Sequence, residues 1–381
     1  VSAAAGIEVV LKDVSIESAE KGKAYSAGLL DKKVGKGQMS AEKRDAFLAR
    51  IKPTASDADF EGCDLIIEAV FEDRGLKARV SAAAESSALP DAVIASNTST
   101  LPITGLAEAV ARPQKFIGLH FFSPVDKMPL VEIIRGEKTD DATLARAFDY
   151  VLQIKKTPIV VHDSRGFFTS RVFGTFTNEG VAMLGEGVSA AMIENQARQA
   201  GMPVGPLAIS DEVSMSLMSH IREQTRKDLE AEGKVMPQHP AFAVVDLMVN
   251  EYKRPGKVAG AGFYDYPANG RKRLWPELKQ RFEKADAQIS PEDVRDRILF
   301  VQAIETVRCV EEGVLTSTAD ANIGSIFGIG FAAWSGGALQ FINQYGLKDF
   351  IARAQYLAEQ YGERFLPPAL LLEKAARGEN F

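Results

Sequence analysis

The stretch DLIIEAVFEDRGLKARVSAAAESSALPDAVIAS, residues 64–96, contains two short apolar runs that flank a segment with helical spacing. The runs 64–70 and 93–96 are nearly continuous in apolar residues, which is typical of strands buried on both faces. Residues 76–88 between them have the pattern of a helix. Strands of this kind alternating with helices indicate a mostly parallel sheet covered on both faces, so this part of the chain is predicted to be α/β.

The same alternation extends outward in both directions. Further strands are predicted at 7–13, 116–121, 131–135 and 159–161, and further helices at 15–34, 103–110 and 141–154. From Gly166 onward the strand signals fade, and amphipathic helical segments separated by Gly and Pro take over. We therefore predict an α/β domain over residues 1–163, followed by two all-α domains over 164–288 and 289–381.

The two helical regions share a pattern of charged residues. Arg171, Glu179 and the triplet Glu-Gly-Val at 186–188 recur as Arg297, Glu305 and Glu-Gly-Val at 312–314, each 126 positions further on. A glycine-rich break follows in both regions, at 201–205 and at 324–330. Identical spacing of three features favours duplication of a helical unit over chance.

Composition excludes several classes of protein. The 381 residues carry a net charge of -6, with 45 basic and 51 acidic side chains, which argues against a general nucleic-acid binder. Two cysteines, Cys63 and Cys309, are too few for a disulfide framework, and no His or Cys spacing resembles a zinc site or another metal site. This fits a reducing compartment: the cytoplasm of a bacterium, or mitochondria or peroxisomes in a eukaryote.

One long uncharged stretch, residues 321–347, raises the question of a membrane span. It contains too many Gly, Asn and Gln residues for a helix in hydrocarbon. We predict a buried, turn-rich segment here and no integral membrane segment.

Asp13 is the first candidate binding residue, because it ends the strand predicted at 7–13. In a dinucleotide-binding βαβ unit, an acid at the end of the second strand binds the adenosine ribose, about twenty residues after the first glycine of the phosphate loop. Only twelve residues precede Asp13, so this interpretation places the first strand and the glycine loop upstream of Val1. The alternative is an acid that merely ends a strand, and the local sequence favours neither.

Two polar clusters follow predicted strands, at Glu68–Glu72 and at Ser96–Thr100. In an open parallel sheet, ligands bind outside the carboxyl ends of the strands, where both clusters are expected. The Asn, Thr and Ser side chains could instead cap the following helix, for which Pro102 suits the first position. Capping accounts for some of these residues but does not need all of them.

His120 lies inside the apolar strand 116–121, and Glu132 lies in the next apolar run after a Pro-bounded turn. A lone His in such a strand is more often a satisfied core histidine. A buried Glu, however, needs a charged or hydrogen-bonding partner. Glu132 bound to one nitrogen of His120 would leave the other to move a proton, as in a general base. His162, His220 and His239 have no comparable setting.

Five motifs together resemble the L-3-hydroxyacyl-CoA dehydrogenase family: SNTSTLPI (96–103), GLHFFSPVDKMPLVEII (118–134), DSRGFFTSR (163–171), GMPVGP (201–206) and GAGFYDY (260–266). The resemblance covers the whole chain and implies a Rossmann-like first domain. The duplicated helical region resembles the dehydrogenase part of the multifunctional α subunit of fatty-acid β-oxidation. Membership of that type implies an enoyl-CoA hydratase domain before the dehydrogenase and a thiolase β subunit as a partner.

The resemblance also implies roles for particular residues, with NAD as the cofactor and an acyl-CoA as the substrate. His120 would remove the proton of the substrate 3-hydroxyl while Glu132 holds the imidazole, and Ser99 would bind the substrate oxygen near the nicotinamide. The remaining NAD contacts would come from Glu72, Lys77 and Asp13. The charge of Asp13 would repel the 2'-phosphate of NADP.

Three positions depart from the family pattern. Ser170 replaces an Asn that usually supplies a fourth active-site hydrogen bond; we expect function to be retained, and a weakened enzyme is the alternative. Ser123 replaces an Asn that often follows HFF. The usual Lys before the GFY motif is Val258 here, with Lys257 one position earlier, so that contact with NAD is in doubt.

Lys32, Lys33 and Lys36 form a basic cluster at the end of the first long helix. This cluster could bind the ADP phosphates of coenzyme A. The alternative, which we favour, is solvated charge that is stabilised by the helix dipole.

Two other functions compete with the multifunctional dehydrogenase. A short-chain 3-hydroxybutyryl-CoA dehydrogenase is disfavoured by the second helical repeat, since single-function relatives generally have one. An inactive relative used for assembly is permitted by Ser170 and by the glycine loop missing from this chain. The presence of His120, Glu132 and Ser99 argues against it.

Overall fold

The computed structural model describes residues 1–285, 287 and 289–381. These residues form two compact units, 1–167 and 168–381, which we call the α/β unit and the helical unit. The first boundary lies four residues beyond the predicted end of the α/β domain. The predicted second boundary, at 288/289, begins at residue 288, which lies outside the described residues, and it stays a prediction.

The α/β unit contains seven strands and five helices among the described residues. The strands are β1 (Val9–Lys12), β2 (Ile51–Thr54), β3 (Leu65–Glu68), β4 (Val93–Ser96), β5 (Phe116–Phe121), β6 (Leu130–Arg135) and β7 (Thr157–His162). The helices are α1 (Ile16–Gly35), α2 (Ala41–Ala49), α3 (Arg74–Ser87), α4 (Ile103–Ala107) and α5 (Asp141–Gln153). This alternation confirms the predicted α/β fold.

The strands form two sheets. β3, β4, β5, β6 and β7 lie side by side in that order, and every neighbouring pair is parallel except the antiparallel pair β5 and β6. β1 and β2 pair with each other in a separate parallel sheet of two strands. One face of the larger sheet packs apolar side chains against α5, including the fully buried Ile117, Leu119, Val131 and Ile133.

Local sequence explains where the longer helices begin. Ser15, Asp73 and Asp140 each precede a helix and accept a hydrogen bond from a backbone N–H of its first turn. Such caps satisfy donors that have no partner within the helix. The site depends most on the cap of α3, since Asp73 fixes the start of this helix directly after Glu72.

Two elements of the α/β unit were not predicted. β2 contains Lys52 and Pro53, which weaken the signal of a strand, but β2 pairs only with β1, and Pro is tolerated at such an edge. α2 has no buried residue, so its sequence lacks the apolar stripe that identifies a helix. Residues 2–5 form a single 3-10 turn closed by Gly6 with φ 88°.

The helical unit contains eleven helices and one small hairpin among its described residues. The helices are α6 (Thr169–Glu186), α7 (Ala190–Ala200), α8 (Pro206–Val213), α9 (Met215–Ala231), α10 (Ala241–Asp246), α11 (Leu278–Arg281), α12 (Pro291–Glu311), α13 (Thr318–Ile329), α14 (Ala338–Tyr345), α15 (Leu347–Tyr361) and α16 (Ala369–Arg377). The antiparallel hairpin is β8 (Tyr264–Asp265) and β9 (Arg273–Leu274).

The repeated charged residues bind one another across the two repeats. Arg171 of α6 binds Glu305 of α12 at 2.7 Å and Glu312 at 2.5 Å. Arg297 of α12 binds Glu179 of α6 at 2.5 Å and Glu186 at 2.6 Å. Each arginine therefore pairs with the glutamates of the other repeat. This reciprocal arrangement supports duplication and explains why the two repeats pack as one unit.

The uncharged stretch 321–347 is more helical than predicted. It contains most of α13 and all of α14, joined by a 3-10 turn at Ala333–Ser335. Within the part of the chain that the structure describes, no helix combines the length and apolar character needed to cross a membrane.

Candidate active site at the carboxyl edge of the larger sheet

Four candidate residues lie at the same edge of the five-stranded sheet. β3, β4 and β5 run parallel and end near Glu68, Ser96 and His120, so these residues lie at their carboxyl edge. β6 runs antiparallel to β5, and its early residue Glu132 is paired in register with His120. The pairing places the two side chains on the same face of the sheet.

His120 and Glu132 form a buried pair. Nδ1 of His120 lies 2.9 Å from Oε2 of Glu132, and the residues are 7% and 0% exposed. Since a carboxylate only accepts, Nδ1 is the protonated nitrogen of the neutral ring. Proton exchange with a substrate therefore falls to Nε2. The predicted contact between these two residues is present.

Aromatic rings surround the imidazole. The ring centroid of Phe122 lies 4.5 Å from that of His120, and the centroid of Phe167 lies 6.3 Å away. Phe167 is fully buried. Such apolar contacts restrict the orientation of the imidazole and reduce the access of water to it.

Glu72 organises the turn that follows β4. Its Oε1 accepts hydrogen bonds from the hydroxyls of Thr98 and Thr100 and from the backbone N–H groups of Ser99 and Thr100. Burial alone would raise the pKa of the Glu72 carboxyl, but the hydrogen bond from Thr98 and the charge of Lys77 outweigh it and lower the pKa. Glu72 is therefore an ionised anchor for residues 98–100.

The side chains of this turn, residues 96–100, differ in their hydrogen-bond partners. Ser96 binds Glu68, Asn97 accepts from the backbone N–H of Phe121, and Thr98 and Thr100 bind Glu72. Ser99 is half-buried, and its hydroxyl has no hydrogen-bond partner among residues 1–285, 287 and 289–381. Ser99 is therefore the member of the turn whose hydroxyl is available to a ligand.

Of the side chains expected to cap α4, Thr98 accepts from the backbone N–H of Leu101 at 3.0 Å, two residues before the helix begins. Helix α4 is capped by Asp163, whose carboxylate accepts from the backbone N–H groups of Ile103 at 2.9 Å and Thr104 at 2.7 Å. Sequence reasoning missed Asp163, although it begins the motif DSRGFFTSR. Nothing in the local pattern links it to a helix sixty residues earlier.

Lys77, which was predicted to contact NAD, is buried between two carboxylates of the α/β unit. It is 1% exposed, and its Nζ lies 3.1 Å from Glu68, 3.5 Å from Glu72 and 3.1 Å from the carbonyl oxygen of Val70. Its ammonium is enclosed by these oxygens and presents no surface to a cofactor in this structure. Lys77 therefore supports Glu72, and its predicted contact with NAD stays a prediction.

The other predicted binding residues of the α/β unit are exposed. Asp13 follows β1 directly, and its Oδ1 accepts from the backbone N–H of Val14 at 2.6 Å, which leaves its second oxygen outward. An exposed carboxylate at this strand end fits a ribose diol. Ser123 is exposed just after β5, and Lys32, Lys33 and Lys36 lie exposed at the end of α1.

Ser170 and Lys257 belong to the helical unit. Ser170 lies in the first turn of α6. Both oxygens of the Glu212 carboxylate lie 2.8 Å from Nζ of Lys257, and Lys257 lies in a 3-10 turn just before the GAGFYDY motif. Lys257 is thus engaged in an exposed ion pair, and its predicted contact with NAD stays a prediction.

Two buried acids explain the motifs GMPVGP and GAGFYDY. Glu194 accepts from the N–H groups of Leu207 and Ala208 and from the Tyr264 hydroxyl, and a side chain at Gly205 would collide with its carboxylate. Asp211 accepts from the N–H groups of Phe263 and Tyr264. Burial raises the pKa of Asp211 to about 6, although these hydrogen bonds oppose the shift. Both motifs are thus explained by packing within the helical unit.

Comparison with known proteins identifies the family. Residues 1–164 match the model of the 3-hydroxyacyl-CoA dehydrogenase NAD-binding domain, and residues 166–266 match that of the 3-hydroxyacyl-CoA dehydrogenase C-terminal domain. The chain belongs to the 3-hydroxyacyl-CoA dehydrogenase family. Membership of this family makes the chain an NAD-dependent oxidoreductase. The match to the NAD-binding domain indicates NAD as the cofactor.

A curated relative matches the chain along its whole length. The fatty acid oxidation complex subunit alpha of Pseudomonas paraeruginosa is 37% identical over 390 residues, which cover 100% of this chain and 53% of the relative. The chain therefore spans about half the length of the curated relatives it matches.

Solved structures show the same fold. A 3-hydroxybutyryl-CoA dehydrogenase from Escherichia coli superimposes with a TM-score of 0.84 at 22% identity, covering 99% of this chain and 94% of that one. The (S)-3-hydroxybutyryl-CoA dehydrogenase of Ralstonia eutropha is 33% identical with a TM-score of 0.63, covering 70% of this chain and 92% of that one. The match to the Escherichia coli chain covers both helical repeats.

Proposed function

We propose that this protein oxidises L-3-hydroxyacyl-CoA to 3-ketoacyl-CoA with NAD+. The observation that carries this proposal is the buried pair of His120 and Glu132, beside a turn whose Ser99 hydroxyl has no partner in the described chain. A proton acceptor and a hydrogen-bond donor are the two groups that oxidation of a secondary alcohol needs from a protein. These residues argue against an inactive relative used only for assembly.

Each residue of the proposed site has its own role in oxidation of the 3-hydroxyl group. Nε2 of His120 takes the proton of the 3-hydroxyl, and the carboxylate of Glu132 stabilises the imidazolium that forms. Ser99 donates its hydroxyl to the substrate oxygen, and Ser170 supplies a further hydrogen bond. The bound NAD+ supplies the acceptor for the C3 hydride. Asp13 binds the adenosine ribose, while Ser123 and Lys257 add contacts to the cofactor.

The larger assembly is part of the same proposal. The Pseudomonas relative is named as the alpha subunit of a fatty acid oxidation complex and is nearly twice as long as the matched region. We infer that a hydratase domain of the same polypeptide and a thiolase subunit accompany this dehydrogenase. Affinity purification of the full-length protein from its source would test this: co-elution with a thiolase is expected, and elution alone would contradict it.

The reaction is tested by mixing the full-length protein with NAD+ and L-3-hydroxyacyl-CoA substrates from four to sixteen carbons and following NADH absorbance. We expect turnover with longer chains as well as with 3-hydroxybutyryl-CoA. Turnover confined to four carbons would favour the short-chain alternative, which the Escherichia coli structure makes a specific competitor. Absence of turnover with every substrate would overturn the proposal.

Asp13 should make the enzyme selective for NAD+ over NADP+. A carboxylate near a 2'-phosphate is repelled by about 1 to 3 kcal/mol, so kcat/KM with NADP+ should be roughly 5- to 150-fold lower. Asp13→Ser should reduce this preference while leaving kcat with NAD+ within about twofold. Equal use of both cofactors by the wild type would contradict the role of Asp13.

Ser170→Asn restores the residue usual in the family. If Ser170 already supplies its hydrogen bond, the substitution should change kcat by less than about fivefold, because one neutral hydrogen bond is worth about 1 kcal/mol. Steady-state kinetics with a single saturating substrate would measure this. A gain of about tenfold or more would instead identify this chain as a weakened enzyme.

A further inference from the structure

Glu68 is a buried carboxylate that the proposed reaction does not use. It is 5% exposed at the end of β3, and its oxygens lie 3.2 and 3.1 Å from Nζ of Lys77. The hydroxyl of Ser96, at the end of the neighbouring strand β4, donates to the same carboxylate. Its Oε2 also accepts from the backbone N–H of Val70 at 3.1 Å. Glu68 therefore connects two strand ends and helix α3.

Lys77 extends this connection to Glu72. Its ammonium lies between the two carboxylates and also donates to the carbonyl oxygen of Val70. A lysine buried to 1% exposure needs compensating charge, which Glu68 provides. With Lys77 fixed, Glu72 has a defined position from which to accept its four hydrogen bonds from residues 98–100.

A second path from Glu68 reaches the same turn. The backbone N–H of Thr98 donates to the Ser96 hydroxyl at 3.2 Å, and that hydroxyl is held by Glu68. The backbone N–H of Asn97 donates to the carbonyl oxygen of Glu68 at 2.9 Å. The Asn97 side chain in turn accepts from Phe121, the residue after His120. The turn is thus tied both to Glu68 and to the strand of the catalytic histidine.

We propose that Glu68 is a positioning residue, which acts through Lys77 and Ser96 to hold the Glu72-anchored turn and thus the Ser99 hydroxyl in register with His120. This inference rests on the proposed function, because it assigns Glu68 to the same site. Every other side chain of the turn is engaged in holding the backbone, and only Ser99 has its hydroxyl available in the described chain. The network sets where that hydroxyl lies.

The test uses Glu68→Gln in the full-length protein. Glutamine keeps the size of the side chain but loses the charge that balances Lys77, so Lys77 and Glu72 should shift. A displacement of about 1 Å at a catalytic group lowers rates on the order of 10- to 100-fold. We expect kcat to fall by that factor, with the KM for NAD+ changed less than about twofold. Hydrogen exchange of the Ser99 and Thr100 amides should also become faster.

Glu85→Gln is the matched control. Glu85 is another buried glutamate of the α/β unit, on the same helix α3, and it binds Arg112 and the backbone N–H of Ala111. Among the described residues it makes no hydrogen bond or ion pair with 96–100, so its substitution should lower stability without changing kcat or the exchange of Ser99 and Thr100. Equal effects of the two variants on kcat would overturn the proposal, because both losses would then reflect stability.

Coupling with Ser99 completes the test. If Glu68 acts by placing the Ser99 hydroxyl, then Glu68→Gln in a Ser99→Ala background should lower kcat by less than about twofold further. Fully additive losses would overturn the proposal. The wild type is measured first: its failure to turn over any hydroxyacyl-CoA would overturn the proposed function and this inference together. An active wild type with a fully active Glu68→Gln variant would overturn this inference alone.

Discussion

His120→Asn should lower kcat for hydroxyacyl-CoA oxidation by roughly 10²- to 10⁴-fold, the usual contribution of a general base. Asparagine places an amide nitrogen close to the position of Nδ1, so the hydrogen bond to Glu132 is kept while Nε2 is lost. The KM for the acyl-CoA should change by less than about threefold, since the substituted group acts in the proton transfer. Steady-state kinetics at pH 7 to 9 would measure both parameters.

His120→Ala separates catalysis from stability. Alanine removes one hydrogen-bond partner of Glu132, a carboxylate that is 0% exposed, so this variant should lose kcat to a similar degree and also lower the melting temperature. His120→Asn should melt close to the wild type. If His120→Asn retained turnover within about fivefold of the wild type, His120 would be a core histidine and the mechanism would be wrong.

Most residues at the carboxyl edge of the larger sheet could be predicted from sequence, because they lie at or directly after the ends of predicted strands. The alternation of apolar runs and helices gave the sheet, and parallel strands place their carboxyl ends together. The pairing of His120 with Glu132 followed from two neighbouring strands and a buried acid that needed a partner. The separate roles of Ser99 and its neighbours required coordinates, since four adjacent hydroxyl and amide side chains have the same capping propensity.

Burial of charged residues was the feature that sequence reasoning missed. Lys77 lies on a helix whose pattern is amphipathic, and a lysine there is normally exposed. The burial of Lys77 to 1% exposure depends on Glu68, which lies nine residues earlier in the chain. Glu68 ends a strand whose apolar composition predicts a buried strand. Likewise, Asp163 caps a helix sixty residues earlier, a contact that exists only because the chain returns to that edge.

Contacts between the two helical repeats could not be predicted from the sequence either. Spacing alone identified Arg171, Glu179, Arg297 and Glu305 as equivalent pairs. It did not reveal that each arginine binds the glutamates of the other repeat, because partners 118 and 134 residues apart leave no local signal. This exchange links the two repeats, and Arg297, which is 0% exposed, is the more buried of its two arginines.

Arg297→Met should lower the free energy of unfolding of the helical unit by about 3 to 5 kcal/mol. Arg297 is 0% exposed and binds both Glu179 and Glu186, and its loss leaves the fully buried Glu179 with Arg364 alone. Arg171→Met is the matched control, since Glu312 is exposed and Glu305 keeps Arg308 as a partner. That variant should lose only about 1 to 2 kcal/mol. Urea unfolding followed by tryptophan fluorescence suits the comparison, because Trp275 and Trp334 both lie in the helical unit.

At acid pH, the difference in free energy of unfolding between Arg297→Met and the wild type should become smaller. Burial alone would raise the pKa of Glu179, but the charges of Arg297 and Arg364 outweigh it and lower the pKa below 4.5. A carboxyl with a lowered pKa stabilises the folded state above its unfolded pKa, and this contribution is lost as the pH falls. The variant lacks most of that contribution, so its deficit should be largest near pH 7 and smaller near pH 4. Equal losses for the two arginine variants, or a deficit that does not change with pH, would show that Arg297 acts through its volume rather than its charge.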